Sequence, residues 1–293
     1  DIMNRILQAL FMATLLALLG CAGAPDRTSP SALSQEEQAW LKQHGPIQVG
    51  VFNDYPPIGY LDESGHPQGM AMDYWRLIAR HLDLEIAFTP CAFRDQLAGL
   101  ESGRFDSLSG IFSMEQRKKR FDFSRPYYQL NTSIFTQPEL EHVTGWTDLQ
   151  GLRIAVVEGD SGQSLAQEAG LTPKAVPSYL EAVLGLLHKT VDAIVLDELV
   201  VTYYASAYNA LDRIRKAGEP VDRGNLCLPV RKGNRVLLSI LNKGVQSVSE
   251  QDLRKIEIEW LDPKERETEH GPMAQDSGGC NDAKRLRDPL DRC

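Results

Sequence analysis

The chain has little with which to hold a metal ion or a polyanion. Its histidines, His44, His66, His81, His142, His188 and His270, are scattered without ligand spacing, and no cysteine pair has the spacing of a zinc site. A net charge of −9 provides no basic face of the kind that phosphate backbones need, which argues against nucleic acid as a partner. Its short apolar run near the start, residues 6–19, is too short for a spanning helix. Neither a metal site nor a cofactor is expected. What is present is ordinary: 42% apolar and 24% charged residues in a chain of 293, enough for one large core or two modest ones. Of the five cysteines, Cys91 and Cys227 are expected to be buried separately as small apolar residues rather than to pair, and Cys280 and Cys293 fall in a polar tail.

The most informative stretch is 103–128, GRFDSLSGIFSMEQRKKRFDFSRPYY. Residues 105–112 read as a short buried strand broken by small residues, and Gly110 allows a close backbone or ligand approach. Ser113 and Gln116 have the spacing of a capping box, predicting a helix over 114–120. A helix start offers free N–H groups and the positive end of the dipole, which suits an anion. Arg117 follows, with a planar fork able to grip a carboxylate through two parallel bonds. On spacing alone, Arg117, Lys118, Lys119 and Arg120 read more readily as one solvated cationic face.

Before this stretch, Ser34 and Glu37 form a capping box for a helix running to His44, with Gly45-Pro46 as its stop. Residues 47–52 read as a strand, and the prolines of Asp54-Tyr55-Pro56-Pro57 leave a stiff loop carrying an aromatic. A helix with Tyr74, Leu77, Ile78 and Leu82 on one stripe follows, then a strand over 84–88 and a helix over 95–101. Residues 133–138 look like a first crossing between two units. The strand 154–157 then runs into Glu158-Gly159-Asp160-Ser161-Gly162, a loop and helix start of the kind that cradles anions. A helix over 179–187 leads to the buried strand 191–196, which delivers Asp197 at its end, and helix is expected over 203–214. Residues 225–231 suit a second crossing, 236–248 a returning helix and 256–261 a closing one. Alternating strands and helices imply parallel sheets with ligands beyond the strands' carboxyl ends.

The order Asp106, Gly110, Arg117, Asp122-Phe123-Ser124, Pro126-Tyr127 resembles the signature of the family 3 periplasmic solute-binding proteins, the two-lobed amino-acid-binding family of ABC importers and related sensor domains. The segment from Tyr55-Pro56-Pro57 to Gly69-Met70 and the run 192–198, DAIVLDE, resemble it too. The resemblance implies an α/β fold of two Rossmann-like lobes joined by a two-crossover hinge. Lobe 1 would be 46–134 plus 228–262 and lobe 2 135–227. It also implies roles. Arg117 and the backbone near Gly110, Ile111, Asp160, Ser161 and Gly162 would hold a ligand carboxylate, Asp197 an ammonium, and Tyr55, Tyr60 and Phe112 would wall the pocket. Met114 stands where the family often has Thr, and Phe112 where it often has Ser or Thr, so the ligand stays open among amino acids, dicarboxylates and other polar acids.

Residues 6–19 behind Arg5 have the shape of a secretory leader, and Leu18-Leu19-Gly20-Cys21 resembles a lipobox, with Cys21 as the lipidated residue. Residues 1–21 would then be removed or processed, 22–45 would be tether and leading helix, and 263–293 a disordered tail. Ala22 after the cysteine favours the outer membrane of a Gram-negative cell. The expected protein is a monomeric, lipid-anchored periplasmic binding protein for a small carboxylate-bearing solute, serving an ABC permease or a sensor. The alternatives are an enzyme resembling cyclohexadienyl dehydratases, with Glu198 or Glu158 as general acid, and a sensory lipoprotein.

Overall fold

The computed structural model describes residues 32–261. The lipobox with Cys21, most of the tether and the tail from 262 lie outside the described residues. The leading helix α1 (Gln35–His44) begins on the expected capping box: Glu37 N–H donates to Ser34 Oγ and Ser34 N–H donates to Glu37 Oε2. Gly45 ends it at φ +79°, a conformation that needs glycine. The Glu37 carboxylate also takes Lys243 Nζ at 2.6 Å and Ser239 Oγ at 2.7 Å, so the helix is docked by charge as well as by contact.

Strand β1 (Ile47–Phe52) buries Ile47, Val49 and Val51 completely, as a parallel strand covered on both faces must. Strands β2 (Asp54–Tyr55), β3 (Gly59–Leu61) and β4 (Pro67–Gln68) make a separate three-stranded flap. Helix α2 (Met70–Leu82) packs Met72, Tyr74, Trp75 and Ile78 inward. Sinking each such side chain out of water is worth roughly 1.5–3 kcal/mol, which holds this helix on the sheet. After β5 (Ile86–Cys91) and α3 (Phe93–Ser102) come β6 (Ser107–Leu108), β7 (Ile111–Phe112) and the short α4 (Glu115–Lys118).

The capping box expected at Ser113 does not form. The cap position is Met114, without a side-chain hydrogen bond, and the helix has only four residues. The chain then re-enters extended structure as β8 (Phe121–Thr136), sixteen residues long. After it come β9 (Ile154–Val157), α5 (Ser161–Glu168), β10 (Lys174–Val176), α6 (Tyr179–Leu187), β11 (Ala193–Asp197) and α7 (Glu198–Ala207). The helix expected to run through 214 stops at Ala207; Leu211–Arg213 is a single 3-10 turn. Strand β12 (Arg215–Arg231), α8 (Arg235–Ser247) and α9 (Glu250–Leu261) close the described chain.

One nine-stranded sheet runs β10-β9-β11-β8-β12-β6-β1-β5, with β7 on β12. Strands β9, β10 and β11 pair in parallel on one side, and β1, β5 and β6 on the other. The long antiparallel pair β8 and β12 joins the two sets. Residues 132–136 of β8 also pair with β11, and Val230 of β12 pairs with Ser107 of β6. Between these, rungs 129–131 and 223–225 pair with each other as a two-strand bridge, to which Ser113 N–H adds one bond at Asn225 O, 3.4 Å. The crossing expected at 133–138 therefore falls largely inside a strand that is already part of the second set. Cys91 and Cys227 are both free, and Cys227 is buried.

Candidate functional site

A cleft of about 210 Å³ opens between the two strand sets, over the carboxyl ends of β1, β9 and β11. From the first set it is lined by Phe52, Tyr55, Phe93, Gly110, Ile111, Phe112 and Arg117, and from the second by Asp160, Tyr179 and Asp197, with Leu226 of β12 between. Arg117 is drawn inward. Its guanidinium donates from Nη1 to Phe112 O at 3.1 Å and from Nη2 to Gly159 O at 3.1 Å, and it sits 5.2 Å above the Phe93 ring. The neighbouring cations do face outward: Lys118 pairs with Glu115 at 2.6 Å, and Arg120 pairs with Glu101. Only Arg117 leaves the solvated face, at 8% exposure. Burial pulls its pKa down, opposed by the nearby Asp160 and other cleft groups. The guanidinium stays a cation because its free-state pKa is so high.

Asp197, at the end of β11, is 1% exposed. Thr132 Oγ1 donates to its Oδ1 at 2.6 Å, and the Tyr55 hydroxyl donates to Oδ2 across the cleft. Burial, with the charge of Asp160 added, pushes its pKa up to about 7. Asp160 caps α5, with Oδ1 accepting from Ser161 N–H at 2.7 Å. Its Oδ2 is buried without a hydrogen bond in good geometry. Desolvation raises this pKa as well, and Arg117 holds it back. Asp54 accepts from Tyr179 N–H at 3.0 Å and is pushed up by burial to about 6. Among the described residues no ion pair joins Arg117, Asp54, Asp160 or Asp197 to any partner. Aromatic rings pave the space: Phe52 stacks on Phe93 at 5.7 Å, and Tyr55 meets Tyr179 at 4.6 Å with the rings tilted by 38°.

Of the residues singled out from the sequence, Tyr55, Gly110, Ile111, Phe112, Arg117, Asp160 and Asp197 meet at the cleft. Three do not. Tyr60 lies with Tyr203 at 5.7 Å and Trp260 at 6.1 Å on the flap. Ser161 is fully buried and its N–H is taken by Asp160, so it offers no donor to an anion. Gly162 serves close packing, since a Cβ there would strike Val195 O. Neither acid candidate lines the cleft: Glu158 pairs with Arg94 at 3.3 Å, and Glu198 takes Ser133 Oγ at 2.6 Å and Lys216 at 3.2 Å. Asp106 fixes the leading helix through His44 at 2.9 Å and is not in the site.

Asp54, Thr132, Phe93 and Tyr179 were not legible as site residues. The only available signal was Asp54's place beside Tyr55-Pro56-Pro57, because loop composition does not say which side chain turns inward. No group of three or more His, Cys, Asp or Glu residues suited to a metal occurs among the described residues. No described helix is long and apolar enough to cross a membrane.

The chain is 24% identical over 263 residues to the L-cystine-binding protein TcyA of Bacillus subtilis, covering 88% of this chain and 98% of that one. It is 27% identical over 271 residues to the virulence sensor protein BvgS of Bordetella pertussis, covering 88% of this chain but only 22% of the sensor. A crystal structure of a histidine kinase sensor domain with similarity to periplasmic binding proteins superposes with a TM-score of 0.70 at 25% identity, covering 75% of this chain and 98% of that domain. The model of the bacterial extracellular solute-binding proteins, family 3, matches residues 47–263, and the chain belongs to that family.

Proposed function

We propose that this protein captures a small carboxylate-bearing solute, an amino acid or related polar acid, by closing two lobes around it. The lobes would be 46–134 plus 228–262 and 135–227, flexing where β8 and β12 bridge them. The reading is carried by Arg117, the one buried guanidinium among the described residues, which faces buried Asp197 from the opposite wall without an ion pair of its own. An α-carboxylate would take its remaining N–H groups, and an α-ammonium would lie against Asp197. Gly110 stands at φ +154° where a Cβ would meet the Tyr127 hydroxyl, which keeps the backbone tight beside the ligand. Phe52, Phe93, Tyr55 and Tyr179 would cover the side chain. A buried charge is costly when unmatched, so solute binding favours the closed state.

The protein would be lipidated at Cys21, held in the periplasm at a membrane surface, the outer membrane in a Gram-negative cell, and act as a monomer for an ABC permease. A receptor role is a second reading, favoured by the resemblance to BvgS and to the kinase sensor domain. Thermal melting with a panel of amino acids, dicarboxylates and prephenate tests the binding reading, because a native-state ligand raises the midpoint. No shift with any compound counts against it, and turnover of prephenate would replace it with an enzymatic one.

A further inference from the structure

Counted with every acid ionised, the cleft holds one cation and three anions. Arg117 comes from α4, and the acids come from three other elements: Asp54 from β2, Asp160 from the start of α5, and Asp197 from the end of β11. None has an ion-pair partner among the described residues. The titratable groups facing Asp160 are Arg117, Tyr179, Tyr55, Asp54 and Asp197, each of which responds to its charge. Most of the polar atoms there are engaged: Asp197 accepts from Thr132 and Tyr55, Asp54 from Tyr179 N–H, and Asp160 Oδ1 from Ser161 N–H. The least satisfied is Asp160 Oδ2, on a side chain 6% exposed that lines the cleft: Tyr179 and the Arg117 charge stabilise the carboxylate, but no hydrogen bond in good geometry reaches this oxygen. A buried acceptor without a well-formed hydrogen bond is costly, and a ligand donor placed there lowers the cost.

Resting on the binding reading above, we propose that the cleft selects solutes with more positive than negative charge, and that an ammonium or guanidinium group on the solute hydrogen-bonds to Asp160 Oδ2. A dicarboxylate would add negative charge beside three acids, and a neutral zwitterion would leave the imbalance as it is. A basic amino acid would place its carboxylate on Arg117, its α-ammonium towards Asp197 and its second cation on Asp160. A diamine would do without the first contact. The walls suit such a chain, because aromatic faces attract cations and cover methylene groups.

The test is thermal melting of the purified protein at about pH 8, above the folded values of Asp197 and Asp54, with L-lysine, cadaverine, L-glutamine and L-glutamate as probes, followed by calorimetry. Stabilisation by lysine, with or without cadaverine, and none by glutamate is expected. Asp160→Asn should weaken lysine binding by about ten-fold or more, the loss of one charge-assisted contact. Asparagine still caps a helix, so the ligand-free midpoint of that variant should be no lower than wild type. Asp160→Ser, also a capping residue, substitutes for it should Asn fail to fold. Affinity for lysine should fall as pH drops towards about 5, because protons compete with the cation for the carboxylates.

Stabilisation by glutamate or glutamine without lysine would overturn the charge assignment while leaving the binding reading intact. Unchanged lysine affinity in Asp160→Asn would overturn it as well. If none of the four probes acts, the charge assignment falls, and the wider solute panel decides the binding reading separately.

Discussion

Two helices start at the cleft, one from each half, and they start in opposite ways. Helix α4 has Met114 at its cap position, no side-chain hydrogen bond there and four residues in all. Helix α5 is eight residues long and is capped by Asp160, whose carboxylate takes the first N–H. The first start therefore contributes little dipole, and the positive side of the cleft is supplied by the Arg117 side chain. The second has its positive end already neutralised by its own cap. Helix ends that read alike as anion cradles in the sequence thus play different parts. One delivers a cation to the cleft, and the other delivers an anion.

The largest expected effect breaks the first half of that contrast. Arg117→Ala should reduce affinity for any carboxylate-bearing ligand by about 100-fold or more, near 3 kcal/mol, by titration calorimetry. Wild-type affinity would show that the cation is structural. Next comes pH. Asp197 and Asp54 bind protons more tightly when folded than unfolded, with folded values of about 7 and about 6. The ligand-free protein should therefore lose stability as pH rises from about 4, with the loss complete only above the folded value of Asp197, at roughly pH 8. For Asp197 the loss is on the order of 2–4 kcal/mol, and Asp197→Asn should flatten the profile of melting temperature against pH. A profile that rises over this range in wild type would contradict the burial argument.

Smaller changes sharpen the second half of the contrast. Asp160→Ala removes a cap and should cost α5 about 1 kcal/mol more than Asp160→Asn does, measured by denaturant unfolding. Equal stabilities would mean that the carboxylate is held by something other than capping. The smallest effect is expected from Met114→Ser, where a gained side-chain cap and the lost packing of Met114 against the core offset each other to within about 1 kcal/mol. A larger loss by denaturant unfolding would show that Met114 is held by packing rather than by its place at the helix start.

Much of the scaffold was legible because it depends on local chemistry. Ser34 and Glu37 specify a cap with two side chains three residues apart, and the structure has that cap. The apolar strand residues Ile47, Val49 and Val51 could only be buried. The Ser113–Gln116 spacing was a false cap, since tertiary demand extends the chain into β8 within a few residues. The inward turn of Arg117, against the outward turn of its three neighbours, cannot be read from spacing, because a four-residue helix presents no stable face. It was the resemblance to a family that singled it out. Asp54, Thr132 and Tyr179 join the site only through contacts 65 to 142 residues apart in the chain, such as Thr132 to Asp197 and Tyr55 to Asp197. Ser161 fails as a donor for a reason visible only in space: the side chain immediately before it takes its N–H.

The two-strand bridge has a mechanical consequence. Rungs 129–131 and 223–225 are the narrowest neck in the sheet, flanked on either side by wider stretches of hydrogen-bonded strands. Bending stiffness falls where a ribbon narrows, so torsion applied at the cleft mouth concentrates there. Under the closure proposed above, a side chain wedged into those three rungs would alter binding from a distance, without touching the solute.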